Sequence, residues 1–235
     1  MNVRPYRPVV LSILKERDAR SVLDAPCGHG WLGRALQRQG GQERPQIDGV
    51  CLYEEPFPDS GYRNFVEHDL NDPLTLPADH YDAVVCGEAL HLLTNPGVAL
   101  DSFRTCLRKG GTLIVTTPNT WHMSSRLQYL LRGFHSGFRP SVGKKPGQYI
   151  TYIPWSFNQL HVFLSHYGFT DITLHEVNEP KPLHWAERMV AIPARLYGRG
   201  KQRRAESVEE SRYWRQLASA QSLYGRWLVV SARLP

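Results

Sequence analysis

The densest chemistry in the chain lies between positions 24 and 30, where Asp24, Pro26, Cys27, Gly28 and Gly30 stand in the order Asp-Ala-Pro-Cys-Gly-His-Gly. Val22 and Leu23 end an apolar run before it, and Leu32 and Leu36 follow at helical spacing. The stretch reads as strand, glycine turn, helix. Glycines let backbone N–H groups approach a ligand that a side chain would block, and the helix N-terminus adds a positive dipole end. Alone this is a weak signal. Glycine turns follow strands in many α/β folds, and the order is not the G-x-G-x-x-G of dinucleotide sites. Other reactive or polar groups stand at the ends of later apolar runs: Cys51, the pair Asp69-Leu70, Glu88 with His91, and His122. Histidine titrates near neutral pH and suits general-base work.

The elements that must position these groups alternate. Strands are expected over 21–24, 46–52, 65–68, 81–87, 112–117, 169–177 and 226–232. Helices are expected from the glycine turn to about 39, over 97–107 and over 156–166. Lys109-Gly110-Gly111 reads as the stop of the second helix, basic residue then glycine. The 81–87 run is almost continuously apolar, as a strand covered on both faces should be. Strand–helix alternation implies βα units and a parallel sheet, the α/β class. Residues 1–20 read as a short helix beside that sheet. Two segments break the rhythm. Residues 119–155 are rich in aromatic residues, glycine and cations, and follow the fifth strand at the edge where α/β sheets bind ligands. Residues 178–222 separate the last two strands.

The 235 residues fit one α/β domain, and a hydrophobic fraction of 41% suffices for a core. No run of 18 apolar residues offers a membrane span. The first residues lack the apolar region and cleavage site of a secretory signal. Cys27, Cys51, Cys86 and Cys106 form no C-x-x-C pair and read as reduced, buried thiols of a cytoplasmic protein. Charge is concentrated: seven cations (Lys181, Arg188, Arg195, Arg199, Lys201, Arg203 and Arg204) face one acid, Glu187, an excess equal to the whole chain's +6.

Asp24 to Gly30 resembles the D-x-x-C-G-x-G motif of class I S-adenosylmethionine-dependent methyltransferases. The stretch CGEALHLLTNPGVALDSFRTCLRKGGTLIVTTPN is similar to the branch holding ubiquinone-biosynthesis O-methyltransferases and methionine-biosynthesis protein W. The resemblance covers about residues 20 to 177, and the closing LYGRWLVVSARLP also fits. It implies a Rossmann-like seven-stranded sheet with helices on both faces and the last strand antiparallel. In that scheme 21–118 is the cofactor-binding core, 119–155 a substrate lid, 156–177 a helix and strand, 178–222 a basic helical insert and 223–235 the last strand.

For the site, the resemblance implies S-adenosylmethionine as cofactor. The turn of Pro26, Cys27, Gly28 and Gly30 would take its methionine end, with Asp24 accepting from turn N–H groups or the cofactor ammonium. Asp69 and the Leu70 N–H would meet the adenine; a plain turn aspartate is the other reading of Asp69. Where the family usually has a ribose-clamping acid at the second strand's end, this chain has Cys51, with Glu54 or Glu55 as substitutes. Some members bind a divalent metal through E-x-x-E-H and a later histidine. Here those positions are Glu88, His91, Leu92 and Tyr149, so no metal is expected. Glu88, also counted among the cofactor-binding residues, and His91 then lie where the acceptor should sit. Methyl transfer needs in-line placement, and a base where the acceptor is a hydroxyl. His91 and His122 are the candidate bases, with Tyr149 and Tyr152 as positioning groups.

The acceptor class implied is an oxygen or nitrogen of a small-molecule, sugar or lipid-linked compound. An RNA methyltransferase gripping phosphates with 181–204 and a non-catalytic binding or regulatory protein are the alternatives; no nucleic-acid module is visible. In 181–204, Trp185, Met189, Ile192 and Leu196 fall at helical spacing, with Pro193 expected to divide two short helices. This segment suits an anionic membrane surface or a phosphorylated ligand. The plainer expectation is an amphipathic helix packed on the sheet with its cations solvated.

Overall fold

Val22, Leu23, Val84, Val85, Leu113 and Ile114 are all fully buried, and their alternation explains the architecture. A computed structural model describes residues 4–38, 44–52, 60–138, 153–182 and 184–235. The elements are α1 (Arg7–Glu16), β1 (Ser21–Asp24), α2 (Trp31–Arg38), β2 (Gln46–Cys51), β3 (Asn64–Glu67), β4 (Tyr81–Gly87), α3 (Pro96–Cys106) and β5 (Leu107–Pro118). They continue with α4 (Met123–Arg132), α5 (Phe157–His166), β6 (Thr170–Leu174), α6 (Trp185–Arg203), α7 (Val208–Leu217), α8 (Ala220–Tyr224) and β7 (Trp227–Arg233).

The strands form one seven-stranded sheet in the order β3-β2-β1-β4-β5-β7-β6. β7 runs antiparallel to both β5 and β6, and the pairings from β3 to β5 are parallel. Successive strand residues point to opposite faces, so each face has its own core. Leu23, Val84, Cys86, Leu113 and Val115 pack with Leu100 and Phe103 of α3 and Leu160 and Leu164 of α5. Val22, Ala83, Val85 and Ile114 pack with Val10 and Ile13 of α1 and Leu32 and Leu36 of α2. The helix over 156–166 begins at a capping box, Ser156 with Gln159.

Three expectations change. Lys109-Gly110-Gly111 does not lie between helix and strand. β5 begins at Leu107, whose buried side chain and pairing with Tyr81 draw it straight from α3 into the sheet. Gly110, at φ +76°, turns within the strand. Second, Pro193 does not divide 185–203, which forms one 19-residue helix. An interior proline costs about 3 kcal/mol of helix. Packing holds the turns around it, through Ala191 against Met123 and Leu223 and Gly198 against Ala218. Third, the apolar stripe of α6 is not packed on the sheet. The helix lies chiefly against α7, and Trp185, Met189, Ile192 and Leu196 face outward.

Candidate active site

β1 delivers Asp24 to the carboxyl edge of the sheet, and the chain then turns through Gly28 at φ +52° and Gly30 at φ +69°, conformations that favour glycine. The Cys27 N–H donates to the Val50 carbonyl at 2.8 Å, tying the turn to β2. A Cβ at Gly28 would meet nothing within 4 Å, so the turn backbone borders open space. The buried Asp24 carboxylate accepts from the Tyr62 hydroxyl at 2.6 Å. Burial pushes its pKa up to about 7; the Tyr62 bond opposes this and the Cys51 thiol adds to it. Cys51, at the end of β2, lies against Cys27, and their hydrogen bond together with burial pushes the Cys27 thiol up. Thus Asp24, Cys27, Gly28, Gly30 and Cys51 come together. Glu54 and Glu55 lie outside the described residues.

Past β3, Asp69 Oδ1 accepts from both the backbone and side-chain nitrogens of Asn71, each at 2.9 Å. This is an Asx turn, and Leu70 is buried in the core behind it.

Glu88 follows β4 in a left-handed conformation, φ +53°, which costs a non-glycine residue about 1–2 kcal/mol. Its N–H donates to the Thr116 carbonyl at 2.9 Å, fixing that turn against β5. Its carboxylate accepts from the Tyr6 hydroxyl and pairs with Arg4 at 3.7 Å. The ring of Tyr6 lies 5.0 Å from Trp227 at the start of β7 and 6.4 Å from Trp31 at the start of α2. Residues 4–6 therefore lie across the functional edge, a role that no local motif signals.

The two candidate bases sit in separate networks. His91 is buried, its Nδ1 3.3 Å from Thr117 Oγ1, and burial lowers its pKa to about 4. His122 caps α4, accepting from the Ser125 N–H at 3.1 Å. Arg226 Nη1 lies 2.8 Å from its Nδ1 and 3.1 Å from its Nε2. Burial, then the Arg226 charge, lowers its pKa to about 3. Arg226 also pairs with buried Glu187 at 3.3 Å, joining the edge of β5 to α6. Tyr62, Tyr6 and Arg226 carried no sequence signal, because each acts through a partner far along the chain. Tyr149 and Tyr152 lie outside the described residues. Among the described residues, no group of three or more His, Cys, Asp or Glu side chains is placed to hold a metal ion.

The strand order, the antiparallel seventh strand and the glycine turn at the carboxyl edge of β1 define the class I methyltransferase fold, whose cofactor is S-adenosylmethionine. A family model described as a methyltransferase domain matches residues 3–174, and the chain belongs to that family. The ubiquinone biosynthesis O-methyltransferase of Xylella fastidiosa (strain M23) is 30% identical over 123 residues, 48% of each chain. The match thus spans about half of that relative's length. The one from Escherichia coli O157:H7 (strain EC4115 / EHEC) is 26% identical over 181 residues, 68% of this chain and 73% of that one. A Burkholderia thailandensis 1,6-didemethyltoxoflavin-N1-methyltransferase, solved with 1,6-didemethyltoxoflavin and S-adenosylhomocysteine bound, superposes with a TM-score of 0.56. It is 17% identical, and the match covers 98% of this chain and 78% of that one, a likeness of fold.

The residues fit the cofactor. The turn at Gly28 opens onto free space, and Asp24 is held by a neutral phenol. A buried carboxylate in that state favours a cationic ligand such as the cofactor's ammonium.

Proposed function

We propose that the chain transfers the methyl group of S-adenosylmethionine to an oxygen or nitrogen of a small-molecule, sugar or lipid-linked acceptor. The observation that carries this reading is the buried Asp24 beside the open Gly28 turn. When bound, the cofactor supplies an electrophilic methyl on a sulfonium. Asp24 orients its ammonium, and the Gly28–Gly30 backbone lets it approach closely. Glu88, held by Tyr6 and Thr116, borders the acceptor side. For a hydroxyl acceptor, His91 is the better-placed base. Buried and neutral at pH 7, it shares a hydrogen bond with Thr117 Oγ1 through Nδ1, and the tautomer protonated at Nδ1 is the one that would leave Nε2 to take the proton. His122 is the weaker candidate, since the Arg226 guanidinium opposes its protonation. The four cysteines are buried free thiols, which fits the reducing cytoplasm as the site of action. Among the described residues, no helix is long and apolar enough to cross a membrane.

Calorimetric titration with S-adenosylmethionine and S-adenosylhomocysteine tests the reading. Micromolar binding that Gly28→Trp abolishes is expected, followed by methyl transfer in a labelled acceptor screen. A folded protein that binds neither would favour a second reading, a non-catalytic partner. Cys51 in place of a ribose-clamping acid is the observation behind that alternative.

A further inference from the structure

α6 reverses the usual arrangement of a surface helix. At roughly 100° per residue, Trp185, Met189, Ile192 and Leu196 fall within about 60° of one another. They face solvent, with Trp185 79%, Leu196 63% and Met189 59% exposed. The opposite face is buried and small: Ala191 and Gly198, with Glu187 turned inward to Arg226. A Cβ at Gly198 would stand 3.0 Å from that of Ala218, so this face is a close seam against the end of α7. A helix that only served the core would turn its large residues toward it.

Charge identifies what the outward face meets. By the same helical geometry, Arg188 and Arg199 border one edge of the apolar stripe, and Arg203 closes its C-terminal end. Ala186, Pro193 and Gly200 form the other edge, and the helix's one acid points away. We propose that α6 is an in-plane docking helix that seats Trp185, Met189, Ile192 and Leu196 in the headgroup region of an anionic lipid bilayer. Arginines beside an apolar stripe reach lipid phosphates while the stripe enters the acyl boundary, and tryptophan favours that interface. A second copy packed antiparallel would set one arginine edge against another. A nucleic acid would need cations, not tryptophan and leucine, at the crest. The inference goes beyond methyl transfer and stands independently of the acceptor.

The test is co-sedimentation of the full chain with phosphatidylcholine vesicles and with mixed phosphatidylcholine–phosphatidylglycerol vesicles, at low and high salt. Binding to the mixed vesicles and little to the neutral ones is expected. Each cation near an anionic surface is worth roughly fivefold in partition, so Arg188→Gln with Arg199→Gln should weaken binding about 25-fold. Met189→Ser with Leu196→Ser should abolish sedimentation while leaving cofactor binding intact, which also shows that the variant is folded. Equal sedimentation of the wild type and the serine variant would overturn the proposal. So would no binding to anionic vesicles, or self-association in the ultracentrifuge that the serine variant abolishes. Salt-sensitive RNA binding lost only in the arginine variant, without vesicle binding, would assign the face to nucleic acid instead.

Discussion

Asp24 and Trp185 occupy each other's ordinary environments. The carboxylate is 1% exposed at the edge of the sheet, and the indole is 79% exposed on α6. Elsewhere the burial rule holds: Phe103 of α3 is fully buried among Leu and Val, and Lys109 is exposed on β5. The contrast teaches that a residue held against its preference by a well-packed scaffold marks a surface completed by something outside the chain. In the readings proposed above, Asp24 faces a cation and the outward stripe of α6 an apolar phase.

The comparison can be broken or sharpened by substitution. The largest effect belongs to the control region: Phe103→Ala should cost about 3–5 kcal/mol in chemical denaturation, from lost burial and a cavity. A smaller loss would mean that the core is looser than its burial suggests.

Asp24 comes next. Burial pushes its carboxyl up to about 7 in the folded chain, well above an unfolded aspartate at ~3.9. The folded state keeps the proton longer. The stability from this group is therefore complete below about pH 4 and is lost as pH rises toward 7. Thermal melts of the ligand-free chain should fall across that window, and Asp24→Asn should flatten the fall. If the two proteins gave parallel curves, burial would not be what perturbs Asp24.

Gly198→Leu should cost about 1–3 kcal/mol by forcing apart the seam with α7, visible as a lowered melting temperature. Smallest is Leu196→Ser, expected within about 0.5 kcal/mol of wild type because the side chain is already in water. A loss as large as that at Phe103 would place Leu196 in an internal contact and end the contrast.

Much of the cofactor half was legible in the residues. Val22-Leu23-Asp24 followed by the glycine turn gave β1, the turn and the start of α2, because period, breaker and helix signal are all local there. β4 was legible for the same reason, as an almost continuously apolar run. What escaped depended on distant partners. Tyr6 meets Glu88 across 82 positions, and Tyr62 meets Asp24 across 38. The entry of Leu107 into β5 is decided by Tyr81. The stripe of α6 was readable as a stripe, but periodicity says only that an apolar face exists. Which way it points is set by the close approach of Gly198 to Ala218.

The insertion of β7 between β5 and β6 also sets an order of assembly during synthesis. β5 ends at Pro118 and its sheet neighbour begins at Trp227, about 110 residues later. At ribosomal speeds of about 5–20 residues per second, the open edge of β5 waits roughly 5–20 s for its partner. β6 has no place in the sheet until that same strand arrives. The half of the sheet carrying the glycine turn can form first, while a nascent chain halted before Trp227 would hold β5 open to pairing with other chains.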